Sequence, residues 1–150
     1  MKIAVFPGSF DPITLGHVDI VKRGLKIFDK IIIAIGENSD KSCMFDLDKR
    51  IHYVSKAFEN YNKIEVKSYS GLTVKFCEKN NTRFILRGIR NSVDYEYEKI
   101  MAQTNEKMSG IETIFLVSNP EFSNISSSLI REIIANKGNY KLFLPRGISI

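Results

Sequence analysis

Gly8-Ser9-Phe10-Asp11-Pro12-Ile13-Thr14-Leu15-Gly16-His17 follows the apolar run Ile3 to Phe6 and precedes a stretch with Val18, Val21, Leu25 and Phe28 on one helical face. The two periodicities predict a buried strand, a tight turn, and a helix from about Gly16 to Phe28. Gly8 allows a close chain reversal and room for a ligand against the backbone. Ser9 offers a hydroxyl and an amide, and Asp11-Pro12 biases the turn away from helix. Gly16 and His17 start the helix, where unpaired N–H groups and the positive end of the dipole favour a phosphate. The spacing of Thr14 and His17 puts both side chains on one face of that turn. There, an imidazole that is protonated or donates a hydrogen bond can meet the charge of a phosphoryl-transfer transition state.

The same alternation continues outward along the chain. Strands are expected at Lys30 to Ile35, apolar on both faces as a central parallel strand is, then at Ile64 to Tyr69, Arg83 to Leu86 and Thr113 to Val117. Helices are expected from the N-cap Asp46 to Phe58, from Leu72 to Lys79, from Asp94 to Met108 and from Ser126 to Asn136, the last stopped by Gly138. This pattern predicts an α/β fold, a Rossmann-like open five-stranded parallel sheet with helices on both faces, formed by residues 1–150 as one domain. Ligands of such sheets sit beyond the carboxyl ends of the strands, near the switch in strand order.

Two further clusters fall just after strands. Ile125-Ser126-Ser127-Ser128-Leu129-Ile130-Arg131 opens the last helix as a second anion-binding start. Simple capping needs one serine; three, with an arginine one turn on, point to a phosphate. Arg87-Gly88-Ile89-Arg90 is expected just after the fourth strand, and its guanidiniums suit phosphate oxygens through their planar forks. Asp94 and Glu98, four apart on the next helix, read equally well as surface charges or partners of nearby lysines. Lys41, in the loop after the second strand, is by itself an ordinary lysine.

Composition narrows the class of protein. With 150 residues, 43% hydrophobic and 26% charged, the chain has the make-up of a soluble globular domain. The opening apolar run is short for a signal peptide, and no run of about 18 apolar residues occurs, so no membrane role and a cytoplasmic location are expected. The net charge of +5 suits anionic partners, but the basic residues are scattered, which favours a small polyphosphate over nucleic acid. An RNA-binding module would carry aromatic stacking motifs that are not visible. Cys43 and Cys77 have no metal-ligand spacing and read as free, structural thiols.

Thr14-x-Gly16-His17 and Ile125-Ser126-Ser127-Ser128 resemble the two signatures of the nucleotidyltransferase superfamily marked by His-x-Gly-His. Taken with Lys41, Met44-Phe45, Arg87-Gly88-Ile89-Arg90 and Asp94-Tyr95-Glu96-Tyr97-Glu98, the chain resembles the bacterial phosphopantetheine adenylyltransferase family over nearly its whole length. Ser42-Cys43 stands where Lys-Pro is common, and Phe122 and Asn124 replace residues that are often Trp or Tyr, and Phe.

The resemblance implies reversible transfer of AMP from ATP to 4′-phosphopantetheine, giving dephospho-coenzyme A and pyrophosphate with Mg²⁺. It implies that Ser9, Lys41, Thr73 and Arg87 bind the acceptor. ATP would meet Ser9, Phe10, His17, Gly88, Ile89, Arg90, Glu98, Phe122, Ser123, Asn124, Ile125, Ser126, Ser127 and Ser128. His17, Lys41 and Arg90 would be the catalytic groups. A cytoplasmic homohexamer, inhibited by coenzyme A in some members, is also implied. The alternative on the same fold is another phosphorylated acceptor, nicotinamide mononucleotide or glycerol phosphate. No carboxylate cluster offers a protein site for Mg²⁺, so the metal is expected on the nucleotide's phosphates.

Overall fold

A computed structural model describes residues 1–37 and 42–150. The chain runs β1 (Ile3–Gly8), α1 (Leu15–Gly24), β2 (Lys30–Gly36), α2 (Leu47–Ala57), β3 (Ile64–Tyr69), α3 (Thr73–Lys79), β4 (Phe84–Ile89), α4 (Ser92–Ser109), β5 (Glu112–Val117) and α5 (Ser127–Ala135), then a 3₁₀ turn at Tyr140–Phe143. All five strands pair in parallel, in the order β3-β2-β1-β4-β5. The chain builds outward from β1 on one side and then crosses to the other, so the switch point lies between β1 and β4.

Alternation along the strands sends side chains to two cores. Ala4, Phe6, Ile31, Ile33, Ile35 and Leu86 pack with Val18 and Val21 of α1, Val54 of α2 and Ile130 of α5. Val5, Ile32, Ala34 and Ile85 pack with Val74 and Cys77 of α3 on the other face. The expected Rossmann-like sheet with helices on both faces is the observed architecture. Leu144 and Ile148 fold back into the larger core, and the Tyr140 hydroxyl donates to the Ile150 carbonyl at 2.7 Å.

Helix ends differ from expectation for local reasons. Helix α1 stops at Gly24 instead of Phe28, because i→i+3 bonds from Lys26 to Arg23 and from Ile27 to Gly24 tighten the chain; Phe28 is still buried. Helix α4 begins at Ser92, two residues before Asp94, since the Asn91 side chain caps it by accepting the Asp94 amide at 2.9 Å. At the end of α5, Lys137 takes the left-handed conformation (φ 58°), and the Gly138 amide closes on the Ile133 carbonyl at 2.8 Å. Gly138 is needed for contact, not for its φ: an added Cβ would lie 2.8 Å from Ile133 Cγ2.

Candidate active site at the strand carboxyl ends

Beyond β1 and β4 lies a cleft of about 350 Å³, and a second cavity of about 290 Å³ adjoins it toward α4. Pro7, Gly8, Ser9, Arg87 and Glu98 line both, forming a shared wall. Phe10, His17, Gly88, Arg90, Phe122, Ile125, Ser126, Ser127 and Ser128 line the larger cleft alone, with Asp94 and Arg131. Thr73 lines the second cavity, with Tyr97, Met101, Asn105 and Thr113. Ile89, Ser123 and Asn124 line neither. Lys41 lies outside the described residues.

The two helix starts meet in this cleft, as their sequence predicts, and each residue there has a distinct task. Thr14 caps α1, and its hydroxyl accepts the His17 amide at 3.3 Å. His17 completes a capping box in the place usually held by Glu or Gln: its Nδ1 accepts the Thr14 amide at 3.0 Å. Ser126 caps α5 by accepting the Leu129 amide at 3.1 Å. Ser127 ties α5 to the first turn by donating to the Pro12 carbonyl at 2.8 Å. Ser128 Oγ accepts from Arg131, whose other amino group donates to the Asp11 carbonyl at 2.9 Å. The caps use the His17 and Leu129 amides; those of Leu15 and Gly16 in α1 and of Ser127 and Ser128 in α5 have no intrahelical acceptor and can meet an anion.

This geometry settles which form of the imidazole is available. Burial, followed by the charges of Arg87 and Arg90, lowers the His17 pKa to about 4. A proton on Nδ1 would also face the Thr14 N–H. The ring is therefore neutral at pH 7 with its hydrogen on Nε2, a donor and not a cation. Phe10 packs edge-on against it, with centroids 5.0 Å apart, and Phe6 lies behind at 6.2 Å.

The arginines are held by carboxylates of α4 rather than lying free. Glu98 accepts the Arg87 Nε–H at 2.9 and 3.1 Å, and the opposite edge of the guanidinium donates to the Pro7 carbonyl. Arg90 donates from Nε to Asp94 at 2.9 Å. Burial opposes the charge on Asp94, but the side-chain and backbone hydrogen bonds from Arg90 outweigh it and hold the carboxyl below its usual range. Asp94 and Glu98 thus partner arginines, not lysines.

Sequence reasoning missed two supports of the site. The Asp11 carboxylate, in a turn whose Asp11–Pro12 bond is cis, accepts the Met44 and Phe45 amides, both at 2.9 Å. Arg50 is buried and bonds to three carbonyls. Its signal was a lone cation on the apolar face of α2, beside Tyr53 and Val54. Cys77 is buried, which pushes its thiol up to about 12, so it is inert, as its sequence setting predicts.

Among the described residues, no three His, Cys, Asp or Glu side chains converge to hold a metal, and none of the helices is long and apolar enough to cross a membrane. A parallel sheet whose switch point brings two helix starts to one cleft is suited to a phosphate-bearing ligand, and the chain's relatives make the class that of the nucleotidyltransferases. The cytidylyltransferase-like family model matches residues 5–133. The phosphopantetheine adenylyltransferase of Christiangramia forsetii is 52% identical over 145 residues, covering 97% of this chain and 96% of the relative. That of Flavobacterium johnsoniae is 47% identical over 150 residues, covering 100% and 99%. The chain belongs to the cytidylyltransferase-like family and, within it, to the phosphopantetheine adenylyltransferases.

The fold is shared more widely. A crystal structure of a bifunctional NMN adenylyltransferase/ADP ribose pyrophosphatase from Francisella tularensis, in complex with AMP and a Mn ion, superposes with a TM-score of 0.73 at 15% identity. It covers 98% of this chain, which spans 45% of that larger protein.

Proposed function

We propose that residues 1–150 act as one domain that transfers AMP from ATP to 4′-phosphopantetheine, reversibly, giving dephospho-coenzyme A and pyrophosphate. The observation that carries this reading is the pair of adjoining cavities with the shared wall of Ser9, Arg87 and Glu98. ATP occupies the larger cleft, its phosphates between the starts of α1 and α5, against Phe10, His17, Gly88, Arg90 and Phe122 to Ser128. The acceptor lies in the second cavity, its phosphate at Ser9, Arg87 and Lys41 and its chain toward Thr73. Ile89, Ser123 and Asn124 are assigned to ATP, and Lys41 to the acceptor phosphate and to charge relief, by resemblance alone.

The acceptor phosphate is already an anionic nucleophile, so the residues need only align it and relieve charge. Its oxygen bonds to the α-phosphorus as the bond from that phosphorus to the α,β-bridging oxygen breaks, and pyrophosphate leaves with the electron pair. His17 donates from Nε2 to a non-bridging α-phosphate oxygen, where charge grows; Arg90 and Lys41 add positive charge. One phosphoanhydride is exchanged for another, which makes the step reversible. Among the described residues no carboxylate cluster would hold Mg²⁺, which would come with the triphosphate and offset its charge. The carboxylates lining the cleft are already engaged, Asp94 and Glu98 with arginines and Asp11 with the Met44 and Phe45 amides.

We assign the protein to the cytoplasm as a homohexamer, with coenzyme A, which contains both halves of the product, as inhibitor. Val93, Tyr97, Ile100 and Met108 of α4 are exposed on a single chain, which supports self-association. The full-length relatives favour the phosphopantetheine acceptor over nicotinamide mononucleotide or glycerol phosphate. The test is an acceptor panel with ATP or CTP, Mg²⁺ and pyrophosphate detection. Dephospho-coenzyme A formed in step with pyrophosphate is expected; product from another acceptor alone would reject the assignment.

A further inference from the structure

Arg50 carries a positive charge into the core with 4% of its surface exposed, and no carboxylate among the described residues lies at ion-pair distance from it. It is held instead by carbonyl dipoles. Nη1 donates to Ser9 at 2.8 Å and to Gly36 at 3.1 Å, and Nε donates to Phe45 at 3.1 Å. These carbonyls end three segments: the turn after β1, the last residue of β2, and the approach to α2. An apolar side chain of similar volume would fill that space at less desolvation cost. What it would not do is fix three carbonyls in set directions, as a planar fork does.

The Ser9 carbonyl belongs to the peptide group that precedes Phe10, and Phe10 sits at φ 49°, left-handed backbone that a bulky aromatic residue rarely adopts. Such a conformation lasts only where the surroundings over-determine it. Arg50 anchors the peptide plane on one side. On the other, the Asp11 carboxylate holds the Met44 and Phe45 amides. The Phe10 ring so placed is 3% exposed and packs edge-on against His17. The path from Arg50 to the imidazole is thus one hydrogen bond, one peptide plane and one ring contact.

We infer that Arg50 is a positioning residue for the transfer step: it holds the Ser9–Phe10 peptide so that Phe10 fixes the orientation of the His17 ring. The inference rests on the assigned role of His17 in adenylyl transfer. Displacing a catalytic group by about 1 Å costs up to about 100-fold in rate. The network meets the ATP cleft only through Ser9 and Phe10, while the assigned phosphate grip is the amides of two helix starts, so kcat is expected to change more than the KM for ATP.

The test uses R50K, which keeps the charge and loses the fork, with R50M as a harsher companion. For each, the thermal midpoint, kcat, the KM for ATP and the NMR ring-proton shifts of His17 are measured beside wild type. R50K is expected to stay folded, to lose about 10-fold or more in kcat with ATP KM within about two-fold, and to shift the His17 resonances as the Phe10 ring current moves. Wild-type kcat in R50K, unmoved His17 resonances, a change in ATP KM alone, or loss of activity only in proportion to unfolding would each overturn the inference. R50M is expected to show the larger shift of the same resonances in its folded fraction; unmoved resonances there count equally against it. A wild-type protein that makes no dephospho-coenzyme A would reject the activity reading instead, while the His17 shifts still test Arg50.

Discussion

Replacing His17 separates its two tasks, because each ring nitrogen serves one of them. Nδ1 accepts the Thr14 amide at 3.0 Å, and Thr14 is 2% exposed, so water does not readily replace that bond. H17A orphans the amide, at a cost of about 1–3 kcal/mol in stability. In H17N, the Oδ1 can sit where Nδ1 was and keep the cap, while nothing replaces the Nε2–H. Losing one well-aimed donor costs about 100- to 1,000-fold in turnover, or about 3–4 kcal/mol. Both variants should therefore lose kcat to a similar extent with little change in ATP KM, and only H17A should also lose stability. Urea unfolding and initial rates of dephospho-coenzyme A formation measure the two quantities. H17N with kcat within about 3-fold of wild type would refute the donor role. H17N as unstable as H17A would refute the cap.

Titration of His17 supplies a second prediction. Its folded pKa of about 4 lies below the ordinary 6.5, so between these values the unfolded chain binds the proton more readily. Stability contributed by the neutral ring is whole above pH 6.5, falls as pH drops toward 4, and levels off below; about 3 kcal/mol is the ceiling, less for residual solvent contact. Thermal midpoints across pH 4–7 should show this component in wild type and not in H17N. G24A should destabilise by about 1–2 kcal/mol although alanine favours helix by about 1 kcal/mol, because overpacking outweighs propensity. The added Cβ would lie 2.5 Å from Leu86 Cδ2 and 2.9 Å from Ile31 Cδ1, both buried; chemical denaturation reads the sign. D94N frees Arg90 from a part-exposed ion pair worth at most about 1 kcal/mol, so kcat should fall by about 2- to 5-fold, and the gap should narrow in high salt.

The sheet was legible in the sequence because parallel strands buried on both faces, such as Lys30 to Gly36, read as continuous apolar runs. The helix starts were legible because caps are local: Thr14, Asp46 and Ser126 each bond within three residues of themselves. What periodicity could not show were partners brought together by the fold. Arg87 with Glu98, Asp11 with the Met44 and Phe45 amides, and Arg50 with three carbonyls all join separate elements, and no spacing rule links them. The neutral state of His17 was equally hidden, since it depends on burial and on which nitrogen faces Thr14. The end of α1 was misplaced because apolar residues at helical spacing continue through Leu25 and Phe28 into a tighter turn.

The account rests on polyphosphate being gripped between the first turns of α1 and α5. A crystal structure of H17N with ATP, Mg²⁺ and 4′-phosphopantetheine measures this directly. Phosphate oxygens within hydrogen-bond distance of first-turn amides from both helices, with the acceptor phosphate in line beside Arg87, is the predicted result. A triphosphate bound away from either helix start would contradict it.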